Sequence, residues 1–76
     1  MIYYLKGILK EKSPTRIVVE VGGVGYEINF PFCSYENLPS LGERIKLYVY
    51  LHLREDKLSL YGFLNPEDRE FFLQLT

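Results

Sequence analysis

Three glycines within four positions, Gly22, Gly23 and Gly25, are the first candidates for chemistry, because glycine-rich turns can bind phosphate. A dinucleotide-binding fingerprint needs a further glycine where Ile28 stands, and it must open a helix. The residues that follow alternate like a strand instead, and a P-loop sequence is absent. We therefore predict that Gly22 and Gly23 form a two-residue hairpin turn, and that Gly25 lies where another backbone or a large side chain approaches closely.

The remaining side chains that could act as catalysts or metal ligands stand alone. His52 is the only histidine, and it falls on the outer face of a predicted strand without a ligand at suitable spacing. Cys33 is the only cysteine, and a structural role is favoured for it. The serines lack the sequence context of a nucleophile. These residues predict a protein that is not an enzyme and that uses no metal or cofactor.

The most informative charged residues are Glu55 and Asp56, between Arg54 and Lys57. Alternating segments on both sides predict a hairpin with both acids at its tip. Tight tips usually favour Asn or Gly, so two acids are an unusual choice. The plain alternative is a solvated turn in which Arg54 and Lys57 partly balance the charge. The pattern alone favours this alternative, since charged hairpin tips are common.

Tyr48, Tyr50 and Tyr61 are candidates for an aromatic face on which nucleic-acid bases could stack. Packing against another part of the protein is the competing interpretation. Nine basic residues face ten acidic ones, which gives a formal net charge of −1. Because the basic groove that normally accompanies base stacking is not indicated, packing is favoured. The same balance predicts that these residues do not supply the main grip on a nucleic acid.

The chain of 76 residues is long enough for one small domain. Its apolar runs are too short for a membrane span, and its N-terminus lacks the features of a signal peptide. A lone cysteine fits a reducing compartment, so we predict a cytoplasmic protein without a membrane partner.

Periodicity predicts five strands and two helical segments. Gly7 in the first strand suggests a bulge or sharp bend, Ser34 could cap the first helical turn, and Asn65 followed by Pro66 predicts the start of a second helix. The predicted strands are 2–12, 16–21, 24–30, 45–53 and 58–63, with the first helical turn at 34–38.

This order predicts an all-β, five-stranded OB-fold Greek-key barrel with a short helical turn between strands 3 and 4 and the start of a C-terminal helix. An SH3-like barrel or a two-sheet sandwich would show a similar number of strands. We expect the barrel domain to span residues 1–63, and residues 64–76 to begin a helix that leads into a further domain.

Several segments resemble the N-terminal part of the RuvA family, whose bacterial members bind Holliday junctions and recruit the RuvB motor for branch migration. The most specific are residues 22–27 (GGVGYE) and residues 54–56 (RED) followed by 60–63 (LYGF). The similar segments "MIYYLKGILKEK" and "PEDREFFLQL" extend the resemblance over the whole chain.

The resemblance implies an OB-fold barrel within a homotetramer that holds a four-way junction open. It assigns Glu55 and Asp56 to an acidic pin at the junction centre. It also implies that helix-hairpin-helix motifs in a second domain grip the DNA and that a third domain contacts RuvB, both beyond Thr76. Two other functions stay open: an OB module that binds single strands or a protein partner through Tyr48 and Tyr50, and a purely structural barrel.

Overall fold

Five strands and two helical segments make up the computed structural model, which describes residues 2–75. The strands are β1 (Tyr4–Ser13), β2 (Arg16–Val21), β3 (Val24–Asn29), β4 (Arg44–Arg54) and β5 (Lys57–Phe63). A 3₁₀ helix (Phe32–Asn37) joins β3 to β4, and α1 (Pro66–Leu75) follows β5. These bounds lie within a few residues of those predicted from periodicity.

The strands close into a barrel in the order β1-β2-β3-β5-β4, with β4 returning to β1. All neighbours are antiparallel except β3 and β5, which meet in parallel where Asn29 lies opposite Tyr61. The long strand β1 pairs with two neighbours: residues 4–8 pair with β4, and residues 8–13 pair with β2. The prediction of an all-β OB-fold barrel with a short helical turn and a C-terminal helix is confirmed.

Gly7 lies next to Ile8, the residue of β1 that pairs with both β4 and β2. A Cβ atom at this position would lie 2.3 Å from the carbonyl oxygen of Glu20 and within 3 Å of the Val19 and Val21 side chains. The irregularity in pairing falls between Leu9 and Glu11, so the bulge is not at Gly7 itself. Gly7 is therefore required for the close approach of β2.

Alternation along the strands places their apolar residues in the barrel interior. Alternation along residues 45–53 predicts that Ile45, Leu47, Val49, Leu51 and Leu53 share one face of β4. Ile45, Leu47 and Val49 are buried, but Leu53 is 70% exposed because the end of β4 extends beyond the barrel. The buried core consists of Leu9, Ile17, Val19, Ile28, Phe30, Leu38, Ile45, Leu47, Val49, Leu60 and Phe63.

The two helical segments begin differently. Ser34 does not cap the 3₁₀ helix, because this helix begins two residues earlier, after Pro31, and has no side-chain cap. Asn65 does cap α1: its side-chain oxygen accepts a hydrogen bond of 2.8 Å from the Asp68 backbone N–H. Among residues 2–75, no helix has the length and hydropathy needed to cross a bilayer.

Candidate functional site

The β4–β5 hairpin presents Glu55 and Asp56 as the two central residues of its turn. Arg54 and Lys57 are the last cross-strand pair, so the turn contains only the two acids. Both have positive φ angles, 50° for Glu55 and 65° for Asp56. Positive φ at both central positions is the backbone of a type I′ turn, whose twist matches that of the flanking strands. The hairpin geometry therefore imposes a left-handed backbone on two residues that have a Cβ atom.

This conformation gives the tip a measurable strain. We expect replacement of the pair by Asn-Gly (Glu55→Asn with Asp56→Gly) to raise the free energy of unfolding by about 1–2 kcal/mol, because these residues adopt positive φ more readily. Thermal unfolding monitored by circular dichroism should show an increase in Tm of roughly 4–15 °C for a domain of this size. Gly22→Asn is the matched control, because it creates Asn-Gly in a turn that already contains two glycines. It should not raise the Tm in this way. An unchanged or lower Tm for the tip variant would show that the tip is unstrained.

Both tip carboxylates are exposed and have no ion-pair partner in the part of the chain that the structure describes. The ion pairs in that part join Lys10 to Glu20, Arg16 to Glu27 and Arg69 to Glu70. Arg54 and Lys57 lie opposite each other and are also exposed, but neither is within 4.0 Å of a tip carboxylate. The expected balancing of charge at the tip therefore does not take the form of ion pairs.

The stem of the hairpin holds the tip away from the barrel. Leu53 and Leu58 are cross-strand partners immediately below the tip, and they are 70% and 61% exposed. Further down, the His52 Nδ1 atom lies 3.5 Å from the Tyr50 hydroxyl. The acids thus lie at the end of a hairpin whose last residues, 53–58, are all exposed.

The glycine-rich turn lies between β2 and β3. Gly22 and Gly23 have positive φ angles of 58° and 84°, and Val21 pairs with Val24 across the turn. The expected close approach at Gly25 is not found: a Cβ there would lie 3.5 Å from the Val18 side chain, an ordinary contact. The close approaches occur at Gly7 and Gly62 instead. Of the three glycines in this segment, Gly22 and Gly23 provide the positive φ angles of the turn, and Gly25 does not.

The three tyrosines considered for stacking fall into two groups of ring contacts. Tyr50 and Tyr61 contact Phe72 of α1, with ring centroids 6.1 Å and 5.0 Å apart. Tyr48 instead contacts Tyr3 and Tyr4. Packing thus accounts for Tyr50 and Tyr61, as favoured from the sequence, whereas the ring contacts of Tyr48 are with β1 and the residue before it.

No cluster of three or more His, Cys, Asp or Glu residues suited to a metal ion occurs within residues 2–75. Cys33 is exposed on the 3₁₀ helix, so it does not contribute to the core. The fold and the site together define a class of protein: an OB-fold domain with an exposed acidic hairpin tip.

The chain belongs to the RuvA N-terminal domain family, whose model matches residues 1–62. It is similar to proteins named Holliday junction branch migration complex subunit RuvA in several bacteria. The identities are 54% over 72 residues for Chloroherpeton thalassium, 51% over 75 residues for Leptothrix cholodnii and 44% over 75 residues for Solibacter usitatus. These matches cover 95%, 99% and 99% of this chain, but only 36%, 39% and 38% of the respective relatives.

Proposed function

We propose that this chain is the N-terminal domain of a Holliday-junction-binding subunit for branch migration, and that Glu55 and Asp56 form an acidic pin at the junction centre. The observation that carries the proposal is a hairpin turn with two exposed carboxylates that form no ion pair within residues 2–75. Family membership supports it, because the similar proteins are named as branch migration subunits.

The pin acts through repulsion of phosphate. In a homotetramer, four tips bring four times two, or eight, carboxylates near the four-fold axis. A carboxylate about 6 Å from a phosphate is repelled by on the order of 1 kcal/mol at a dielectric constant intermediate between protein surface and water. Several such pairs favour a junction whose strands stay apart at the centre. The pin therefore opposes binding while it favours an open, square geometry.

The rest of the domain supports this role without catalysis. The closed barrel fixes the direction of the hairpin, and a balanced net charge suits a domain whose tip repels DNA. We assign residues 1–63 to the barrel domain and residues 64–76 to the start of a connection to a helix-hairpin-helix domain that grips the backbone. The motor activity belongs to RuvB, contacted through a third domain, and the complex works in the cytoplasm.

Junction geometry provides the test. This chain replaces the matching segment of the Chloroherpeton thalassium relative, and the chimera binds a four-way junction with a fluorescent donor and acceptor on adjacent arms. With Glu55 and Asp56 present, we expect equal transfer efficiencies for all adjacent pairs of arms, as in a square. With Glu55→Gln and Asp56→Asn, we expect the efficiencies to become unequal.

An exchange that keeps both charges, Glu55→Asp with Asp56→Glu, is the control and should preserve the equal efficiencies. If the neutral variant holds the junction as square as the acidic chain does, the pin is not what opens the centre, and the proposal fails.

A further inference from the structure

The outer face of β1 and β4 carries a cluster of cations away from the acidic tip. Lys6 and Lys46 lie directly opposite each other, and Arg44, two residues from Lys46, projects on the same side. Tyr4 and Tyr48 form the next cross-strand pair on this side. We call these residues the cationic-aromatic face: Tyr4, Lys6, Arg44, Lys46 and Tyr48.

The positive charge of this face is not neutralised within the described part of the chain. Like charges directly opposite each other on neighbouring strands destabilise a sheet. None of the three cations forms an ion pair within residues 2–75. The acid on the next strand, Glu20, is paired with Lys10 at 3.4 Å. A sheet that retains such a cluster is suited to an anionic partner.

The aromatic rings of the face are placed together with the cations. The Lys46 ammonium lies 4.6 Å from the centre of the Tyr4 ring and 5.1 Å from that of Tyr48. The two rings are 6.4 Å apart, and Tyr4 is 49% exposed. An open groove bordered by Lys6, Arg44 and Lys46 runs beside them. The face thus combines a groove lined by cations with an exposed ring that is accessible to a flat partner.

We propose that the cationic-aromatic face binds single-stranded DNA. Lys6, Arg44 and Lys46 contact successive phosphates, and an unpaired base stacks on Tyr4 after displacing the Lys46 ammonium. Proteins that bind single strands combine these two elements, a basic groove and exposed aromatic rings. The bases of a duplex are already stacked on each other and cannot stack on a ring of the sheet surface, so duplex should bind more weakly than a single strand.

This surface is separate from the proposed pin. Glu55 follows Lys46 by nine residues in the sequence. Nine residues of extended strand have a length of roughly 30 Å. The tip carboxylates and the cationic-aromatic face therefore lie on different parts of the domain. The formal charge of the whole chain, −1, does not reveal this separation of acidic and basic groups.

A titration of the 76-residue chain with fluorescent oligothymidylate of about 16 nucleotides, near the upper site size of one OB fold, tests the proposal. With three phosphate contacts, the logarithm of the association constant should fall with the logarithm of salt concentration with a slope near −2, since each contact contributes about −0.7. Lys6→Gln with Lys46→Gln should reduce that slope to about −0.7 and weaken binding at least tenfold near 50 mM salt.

Two further variants separate the possible causes. Lys10→Gln with Arg16→Gln removes the same charge from cations that are already paired, and should weaken binding less than about threefold. Tyr4→Leu should weaken binding about tenfold without changing the salt slope, because it removes the ring on which a base stacks but removes no charge.

Three outcomes would overturn the proposal: no binding of the oligonucleotide near 50 mM salt, equal weakening by the two charge variants, or duplex bound as tightly as the single strand. None of these bears on the pin, which is tested on a junction with different residues.

Discussion

Neutralising the tip should tighten junction binding at least about tenfold. In the chimera described above, Glu55→Gln with Asp56→Asn removes two negative charges from each subunit while leaving side chains of nearly the same size. If repulsion from phosphate costs on the order of 1 kcal/mol per close pair, relief of two or more pairs corresponds to a tenfold or larger gain. Titration of a labelled four-way junction at low salt measures the change.

The matched control removes two negative charges elsewhere. Glu11→Gln with Glu36→Gln changes exposed residues on β1 and the 3₁₀ helix, and should alter affinity less than about threefold. An equal gain in both variants would indicate a general effect of net charge, and weaker binding by the neutral tip would contradict the proposed repulsion.

Replacing Gly7 by alanine should largely unfold the domain. The new methyl group would meet the Glu20 carbonyl oxygen at 2.3 Å, and this atom belongs to the backbone of a paired strand. Relief requires β1 and β2 to separate, so we expect a loss of about 3 kcal/mol or more. A core of this size supplies only about 3–5 kcal/mol in total. Far-ultraviolet circular dichroism and denaturant titration report the loss.

Gly25→Ala is the control for this prediction. Its new Cβ atom would lie at an ordinary contact distance from Val18, and its backbone lies in a strand, where alanine is tolerated. We expect the free energy of unfolding to change by less than about 1 kcal/mol. Comparable stability of the Gly7→Ala and Gly25→Ala variants would mean that β1 and β2 are less closely packed than the structure shows.

The sequence predicts those parts of the fold that depend on local patterns. Alternation along residues 45–49 identifies the inner face of β4 because a strand repeats every two residues. Asn65 followed by Pro66 predicts the start of α1 because capping involves neighbours in the chain. The two acids at the tip stand out in the sequence because turn chemistry is also local.

Properties that depend on distant segments could not be derived in this way. Whether Gly7 or Gly25 is closely packed depends on the path of β2 across β1, which no local pattern reveals. Leu53 fits the inner alternation of β4 but lies beyond the end of the barrel. The cationic-aromatic face arises only because β1 and β4, far apart in sequence, are neighbours in the closed sheet. A balanced total charge therefore led to the expectation that no basic groove exists.

The central claim is that the acidic tip acts by electrostatic repulsion, and the salt dependence of its effect tests this most directly. The measurement is the ratio of junction affinities of the neutral-tip and acidic-tip chimeras over a series of salt concentrations. The Debye screening length shortens from about 10 Å at 0.1 M salt to about 3 Å at 1 M salt. The affinity ratio should therefore fall from tenfold or more at low salt toward one. A ratio that stays constant across the series would show that the tip acts through shape or packing, and would contradict the account.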